Sequence, residues 1–162
     1  MPRADYSDWN CSIARTLGVI GDRWTMLVLR EAFFGVRRFD EIQRNLGVAR
    51  NVLTDRLGRL AEHGILERRR YQDRPERFEY RLTEKGLDLY GPIVALMRWG
   101  DMHMADPSGP PVVLTHLTCG HRTVPAHVCS HCGEELKPRE MRPEPGPGAT
   151  PRGRIAAADT AA

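Results

Sequence analysis

Two short motifs near the C-terminus carry side chains that bind metal ions. His116-Leu117-Thr118-Cys119-Gly120 and Cys129-Ser130-His131-Cys132-Gly133 each place a second ligand three residues after the first, with a glycine behind it. A tight turn of this form points two side chains at one ion, and zinc prefers imidazole nitrogen and thiolate sulfur. We therefore predict a closed, structural zinc site in a small zinc-ribbon-like hairpin. Its ligands are His116, Cys119, Cys129 and Cys132, and His121 competes with His116 for the fourth position.

Two other interpretations of these cysteines stay open. Cys129 and Cys132 have the spacing of a redox-active thiol pair, although no thioredoxin-like strand-helix-strand pattern surrounds them. The segment could also be a metal-free hairpin with unpaired thiols. The N-terminus lacks an apolar stretch of signal-peptide length, and the longest apolar run, residues 92–97, is too short to cross a bilayer. We therefore expect a cytoplasmic, nucleoid-associated protein with no membrane partner and with reduced cysteines.

The middle of the chain concentrates arginine. Between Arg37 and Arg81 there are twelve arginines and eight acidic residues, whereas the whole chain of 162 residues has a net charge of only +3. The planar, forked guanidinium group suits phosphate and guanine better than the lysine ammonium does. This distribution favours a nucleic-acid-binding segment.

The residues from Phe39 to Gly64 predict two short helices around a tight turn at Gly47. In the second helix, residues 50–63, Leu53, Leu57 and Leu60 share one face at helical spacing. The opposite face is small or polar, as a helix that lies in the major groove requires. That face carries Asn51, Thr54, Asp55, Gly58 and Arg59.

A β-hairpin is predicted directly after this helix. Leu66–Tyr71 and Arg77–Leu82 have strand character, and the connector between them, residues 72–76, contains a proline. A hairpin at this place is the wing of a winged helix, and its arginines suit phosphates or the minor groove. The candidate base-contacting residues are Arg50, Asn51, Thr54 and Asp55. The candidate phosphate-contacting residues are Arg59, Arg68, Arg69, Arg70, Arg74 and Arg77.

Apolar helical patterns flank this segment on both sides. Residues 11–34 predict two helices with a break near Gly18 and Gly21, whose apolar residues, including Ile13, Leu17 and Trp24, form the core. Residues 83–104 predict one helix opened by Thr83, with more apolar surface than one subunit needs. We expect the surplus, together with the N-terminal helix, to form a homodimer interface; packing within one subunit is the alternative.

Several ordered motifs resemble the HxlR family of MarR-like winged-helix transcription regulators. They are Leu17-Gly18-Val19-Ile20-Gly21-Asp22-Arg23-Trp24, Leu29-Arg30-Glu31, Arg38-Phe39-Asp40-Glu41-Ile42, Leu53-Thr54-Asp55-Arg56-Leu57 and Tyr80-Arg81-Leu82-Thr83-Glu84-Lys85-Gly86, preceded by Cys11. The resemblance covers about residues 11–104 and implies a homodimer on double-stranded DNA, with dimer contacts from the N- and C-terminal helices. The chain departs from the family pattern at Ser12, where proline is frequent, and at Asp22, where glycine is usual.

The resemblance also implies a role for Cys11. Some members of the family sense oxidants or electrophiles through a cysteine at the matching position, which makes Cys11 a candidate redox sensor. A cysteine ahead of an apolar helix can equally be a small buried hydrophobe. A sensor thiol needs a lowered pKa and exposure, and the sequence shows neither.

The expected fold is mainly α with a small β-hairpin, an α+β winged helix-turn-helix. Residues 11–105 form the DNA-binding domain, 106–111 a linker, 112–137 the zinc-ribbon-like segment and 138–162 a disordered tail. The predicted function is sequence-specific regulation of transcription on a double-stranded DNA operator, with an unidentified effector. The alternative is a winged-helix module that binds another protein. The sequence contains no nucleophile-elbow, phosphate-loop or metal-hydrolase motif, so we do not expect an enzyme.

Overall fold

The computed structural model of the protein describes residue 6 and residues 8–150, which divide into two compact units. The first unit contains residues 12–94, and the second contains residues 8–11 and 95–150. No helix in the described part of the chain is both long and apolar enough to cross a membrane.

The first unit has the order expected for a winged helix. It consists of α1 (Ser12–Ile20), α2 (Arg23–Phe33), α3 (Phe39–Leu46), α4 (Arg50–Glu62), β1 (Leu66–Asp73), β2 (Glu76–Leu82), α5 (Glu84–Leu87) and the start of α6 (Tyr90–His103). Helix α3 ends at Gly47, which has the left-handed conformation with φ of 60°. The predicted α+β class, with a helix-turn-helix followed by an antiparallel hairpin, is confirmed.

The core lies behind α4. Leu53, Leu57 and Leu60 are fully buried, and they pack with Leu29 of α2 and Ile42 of α3. This arrangement follows from the apolar stripe of the sequence, because each of the three helices has one apolar side to remove from water. Trp24 packs against the same cluster, as predicted.

The predicted core role of α1 is only partly correct. Ile20 is buried, but Ile13 is 72 % exposed and Leu17 is 53 % exposed. The helical spacing correctly predicts a helix here. The prediction that Ile13 and Leu17 face the core is wrong. The break between α1 and α2 falls at Gly21 and Asp22, whereas Gly18 lies inside α1.

The hairpin is longer than the sequence indicated. Strand β1 pairs with β2 from Leu66 opposite Leu82 to Asp73 opposite Glu76, with a bulge between Arg70 and Gln72. The connector consists of only Arg74 and Pro75, and not of the five residues predicted. A cis peptide bond joins these two residues. Proline is tolerated here because it lies in the turn, outside the ladder.

The single helix predicted for residues 83–104 is wrong, because it is interrupted after Leu87. Thr83 does begin a helix, since its hydroxyl accepts a hydrogen bond from the amide of Gly86 at 3.1 Å. Pro92 explains the interruption: it lacks an N–H and is tolerated only in the first turn of a helix. Starting α6 at Tyr90 places Pro92 in that first turn.

The second unit contains the rest of α6 and two small hairpins. Strands β3 (Leu114–His116) and β4 (His121–Thr123) pair antiparallel. Val128 pairs with Glu135 in the second hairpin, and Pro138–Glu140 form a 3₁₀ turn. Arg98 of α6 donates a hydrogen bond to the carbonyl oxygen of Pro125 at 2.9 Å and reaches Glu135 at 3.2 Å.

Residues 151–162 of the predicted disordered tail lie outside the described residues, and the predicted domain boundaries stay predictions.

Candidate nucleic-acid interface

Helix α4 presents one buried face and one open face. The leucines at 53, 57 and 60 are buried, whereas Asn51, Thr54, Asp55 and Gly58 are all exposed. A Cβ atom added at Gly58 would meet no heavy atom within 4 Å. The middle of the exposed face is therefore flat, and none of the described residues of the same unit covers it.

An ion pair holds the back of α4 against the start of α2. Arg56 Nε donates to Asp22 Oδ1 at 2.7 Å and Nη2 donates to Oδ2 at 3.3 Å. Only 15 % of the Arg56 side chain is exposed. Asp22 also caps α2, because its Oδ1 accepts from the amides of Trp24 at 3.0 Å and Thr25 at 3.2 Å. Asp22 thus contributes to the placement of α4. Glycine is usual at this position in the HxlR-like pattern described above.

These contacts change the ionisation of Asp22. Burial raises the pKa of this carboxyl, but the hydrogen bonds from Arg56, Thr25 and Trp24, together with the charge of Arg56, outweigh burial and leave the pKa below its ordinary value. The carboxylate form is therefore stabilised in the folded protein.

Three of the predicted DNA-contacting side chains of α4 have partners within the protein. Asp55 accepts a hydrogen bond from Arg56 Nη1, and the Thr54 hydroxyl donates one to the carbonyl oxygen of Arg50 at 2.9 Å. Arg59 Nη2 donates to the carbonyl oxygen of Gly18 in α1 at 3.2 Å. The guanidinium of Arg59 is therefore committed to the scaffold, and its predicted phosphate contact stays a prediction.

A buried carboxylate ties α2 to α3. Glu31 is only 4 % exposed, and its Oε2 accepts from Asn45 Nδ2 at 2.6 Å. Its Oε1 accepts from Arg30 Nη2, also at 2.6 Å. Because both oxygens have donors, the charge is tolerated inside the helix-turn-helix, and α3 is held at a fixed place beside α2.

A cleft of about 540 Å³ lies between the start of α4 and the hairpin. Five arginines and three carboxylates line it, which gives it a positive balance. The arginines are Arg38, Arg44, Arg50, Arg68 and Arg77, and the acids are Asp40, Glu41 and Glu76. Arg50 stacks over the Phe39 ring at 4.8 Å from its centroid and stays 74 % exposed.

The hairpin arginines differ in where they point. Arg68 lies 3.4 Å from the Phe78 ring centroid and, with Arg77, lines the cleft. Arg69 pairs with Glu67 at 2.7 Å and lines a separate pocket on the other side of the hairpin. Arg70 lies between Asp73 at 3.1 Å and Glu76 at 3.3 Å. The alternation of side chains along a strand produces this division.

Arg74 and Arg77 differ from Arg69 and Arg70 in their pairing. In the part of the chain that the structure describes, neither of them forms an ion pair. Both are exposed near the turn of the hairpin. Arg68 also lacks an ion pair among the described residues, but its guanidinium lies over the Phe78 ring, which leaves Arg74 and Arg77 as the hairpin arginines with neither a carboxylate nor an aromatic partner there.

Sequence reasoning missed Arg38 and Arg44 as members of the cleft. Arg38 precedes α3 and lies 4.9 Å from the Tyr71 ring centroid, so it links α3 to the hairpin. The charge concentration between residues 37 and 81 included both arginines, but their positions relative to the hairpin depend on tertiary structure. Cys11, the candidate sensor, is exposed, and its redox role stays a prediction.

The predicted metal ligands occupy two tight turns of the second unit. In the first, His116 Nδ1 lies 3.3 Å from Cys119 Sγ, and the carbonyl oxygen of His116 accepts from the amide of Gly120 at 2.8 Å. In the second, the carbonyl oxygen of Cys129 accepts from the amide of Gly133 at 2.9 Å. Both glycines have positive φ, 72° and 77°, where a side chain would introduce strain.

The Cys129 thiol has a pKa lowered from its ordinary value. The causes are hydrogen bonds from the backbone amides of Cys132 and His131 and a further one from the Cys132 side chain. Among the described residues, no three histidine, cysteine or acidic side chains lie together as a metal site. The structure thus forms the two ligand pairs but does not bring them together.

The fold and the cleft define a class of protein. A helix-turn-helix with an uncovered polar face on its second helix, followed by an arginine-bearing hairpin, is the architecture of winged-helix DNA-binding transcription regulators. The model of the HxlR-like helix-turn-helix family matches residues 19–108. The chain belongs to this family, and it is a transcriptional regulator with a helix-turn-helix DNA-binding fold.

Individual relatives agree with this assignment. The chain is 54 % identical over 137 residues to the HTH-type transcriptional regulator Rv3095 of Mycobacterium tuberculosis, covering 85 % of this chain and 87 % of the relative. The crystal structure of PA1607, a candidate transcription factor, has a TM-score of 0.76 at 35 % identity, covering 86 % of this chain and 97 % of that one. The redox regulator HypR in its reduced form has a TM-score of 0.53 at 30 % identity, covering 57 % of this chain and 92 % of that one.

Proposed function

We propose that this regulator binds double-stranded DNA as a homodimer, with α4 in the major groove and the hairpin on the phosphate backbone. The observation that carries the proposal is the uncovered face of α4 beside an arginine-lined cleft. The charge of that cleft matches a phosphate backbone, and the flat surface at Gly58 allows a close approach to the bases.

Base recognition is assigned to the first turns of α4. Arg50 and Asn51 are both exposed and begin the helix, the part of a recognition helix that contacts base edges. Arginine can bind guanine through two hydrogen bonds, and asparagine can bind adenine in the same way. Each such pair contributes about 1–3 kcal/mol of discrimination between bases.

Phosphate binding is assigned first to Arg77 and Arg74, because neither is committed to a carboxylate in the described residues. Arg68 and Arg50 line the same cleft as Arg77, and each is held in place by an aromatic ring. Arg69 lies on the other side of the hairpin, and Arg70 would have to leave two carboxylates to bind a phosphate. We therefore rank these two below the others.

Dimerisation is assigned to α6, with α1 as a further contributor. Leu96, Trp99 and Met102 are each more than half exposed although they lie on a helix of mainly apolar sequence. Their burial in a second copy would be favourable, and a two-fold dimer matches the two-fold operators of helix-turn-helix proteins. Ile13 and Leu17 of α1 are exposed in the same way.

Asn51→Ala tests base recognition. Operator fragments are selected from the genome with the wild-type protein, and affinities for the operator and for random DNA are measured at one salt concentration. We expect Asn51→Ala to lower the operator affinity by about 1–3 kcal/mol with little change on random DNA. His63→Ala, an exposed substitution just after the same helix, is the control and should change neither affinity. Equal weakening on both DNAs by Asn51→Ala would contradict base recognition by this residue.

Trp99→Ser tests the dimer. Light scattering coupled to size-exclusion chromatography should show a dimer for the wild type and a larger monomer fraction for the variant. Leu117→Ser is the control, because Leu117 is 92 % exposed but lies in a loop outside α6. A wild-type mass of one chain, or a dimer that Trp99→Ser leaves intact while Leu117→Ser dissociates it, would contradict the assignment to α6.

A further inference from the structure

We propose that His116, Cys119, Cys129 and Cys132 bind one zinc ion, which joins the two turns of the second unit into a single zinc ribbon. This metal site is independent of DNA recognition by the first unit. Two tight turns hold the four candidate ligands, and little apolar packing holds this part of the chain together.

The first turn already places two donor atoms at a suitable separation. In a tetrahedral site with a Zn–S distance of about 2.3 Å and a Zn–N distance of about 2.0–2.1 Å, the sulfur and nitrogen are roughly 3.5 Å apart. His116 Nδ1 and Cys119 Sγ are 3.3 Å apart. The amides of Cys119 and Gly120 both donate to the carbonyl oxygen of His116, at 3.2 Å and 2.8 Å, so backbone hydrogen bonds fix the turn.

The second turn has the same construction around Cys129. Its carbonyl oxygen accepts from the amide of Gly133, and its own amide donates to the carbonyl oxygen of Glu134 at 2.8 Å. The amide of His131 points at Cys129 Sγ from 3.4 Å. A sulfur atom that accepts amide hydrogen bonds is suited to be a thiolate ligand, because these bonds stabilise negative charge on it.

The geometry distinguishes His116 from His121. The two histidines are directly opposite each other in the β3–β4 ladder, so their side chains leave the same face of the hairpin. Only His116 is in contact with the Cys119 thiol in the described structure. We therefore assign the fourth ligand to His116 and use His121 as its matched control.

Apolar packing within the two ribbon hairpins is slight. Each strand of the β3–β4 hairpin has three residues, and Leu117, Val124 and Val128 are all more than half exposed. The ribbon segment, residues 112–137, is shorter than the roughly 40 residues below which a chain usually needs a disulfide, a metal or a partner to be stable. Since no three candidate ligands lie together in the described residues, an ion would have to draw the Cys129–Cys132 turn onto the His116–Cys119 turn.

The test measures metal in the full-length protein. The chain is purified under reducing conditions without added metal, and zinc is quantified by mass spectrometry. We expect one zinc ion per chain in the wild type and in Cys11→Ser and His121→Ala. We expect a decrease of more than roughly tenfold in Cys119→Ser, Cys132→Ser and His116→Ala. Circular dichroism confirms that the helices of each variant are folded.

Cobalt substitution gives a second measurement that does not depend on the metal content of the purified protein. Tetrahedral cobalt with three thiolates has visible absorption bands, and they should disappear in Cys119→Ser and persist in Cys11→Ser. Four outcomes would overturn the proposal: a wild type that binds neither metal, one ion per two chains, a Cys129–Cys132 disulfide in the reduced preparation, or loss of zinc in His121→Ala with retention in His116→Ala.

Discussion

Replacing Asp22 by asparagine tests how the protein positions α4. Asparagine keeps a side-chain oxygen that can cap α2, and the two residues are nearly equal as caps. It removes the negative charge that Arg56 binds at 2.7 Å. Asp22→Asn therefore isolates the ion pair, whereas Asp22→Ala removes the ion pair and the cap together.

The expected magnitudes follow from the burial of this pair. Hydrogen bonds to charged groups contribute about 1.5–3 kcal/mol, and the Arg56 side chain, 15 % exposed, would keep Asp55 as its only carboxylate partner among the described residues. We expect Asp22→Asn to lower the free energy of unfolding by about 1.5–3 kcal/mol. Asp22→Ala should cost about 1 kcal/mol more through the lost cap. In a domain of this size, the asparagine variant should lose about 6 °C or more in Tm.

The assay is urea unfolding of the wild type, of the single variants Asp22→Asn and Arg56→Ala, and of the double variant Asp22→Asn/Arg56→Ala. A double-mutant cycle should give a coupling energy of about 1–2 kcal/mol between the two residues. Asp40→Asn is the control, because Asp40 and Arg50 are 4.0 Å apart and both are about three-quarters exposed. Such a surface pair contributes about 0–1 kcal/mol. A coupling energy within about 0.3 kcal/mol of zero would refute the inference that this ion pair holds α4.

The same substitution should alter the dependence of stability on pH. The pKa of Asp22 is lower in the folded protein than its ordinary value, so the folded state binds this proton less readily than the unfolded chain does. The stabilisation is fully present above the ordinary carboxyl pKa of about 3.9 and is lost as the pH falls through the lower folded pKa. The difference in unfolding free energy between wild type and Asp22→Asn should therefore be largest near neutral pH and shrink in acid. A difference that grows in acid would contradict the assigned direction.

Two further pairs of substitutions test the DNA-binding surface and its support. Arg77→Ala should weaken binding to operator and random DNA alike and reduce the slope of log K against log salt by about 1, whereas Arg69→Ala, which removes the same charge from the other side of the hairpin, should change the slope less. A slope that Arg77→Ala leaves at the wild-type value in a salt titration would exclude the phosphate contact of Arg77. Gly58→Ala should raise the unfolding free energy by about 0.5–1 kcal/mol but lower operator affinity, because the added methyl group occupies the open face of α4. Gly86→Ala should destabilise by about 1–3 kcal/mol, since its Cβ would lie 2.2 Å from the carbonyl oxygen of Ile65; unfolding curves distinguish the two, and a stable Gly86→Ala would refute the close contact.

Local sequence signals were sufficient for the helix-turn-helix. The leucines of α4 recur at helical spacing, and Gly47 ends α3 because it adopts the left-handed conformation. These features depend on neighbours in the sequence, so they could be predicted without tertiary information. The uncovered face of α4 followed from the same pattern.

Features that depend on distant contacts could not be predicted in this way. Arg69 and Arg77 both belong to the hairpin, but the pairing register and the bulge decide which side of it each one occupies. The pairing of Asp22 with Arg56 links positions 34 residues apart, and no local pattern marks it. The exposure of Ile13 similarly depends on what packs against α1, which spacing alone does not reveal.

The ion pairs within the hairpin have a consequence for the expected binding to DNA of arbitrary sequence. Arg69 and Arg70 already have carboxylate partners, so each would exchange one ionic contact for another when it meets a phosphate. Their net contribution to holding DNA of arbitrary sequence is correspondingly small. On the proposed interface, the regulator should therefore bind random DNA more weakly than the number of its hairpin arginines suggests.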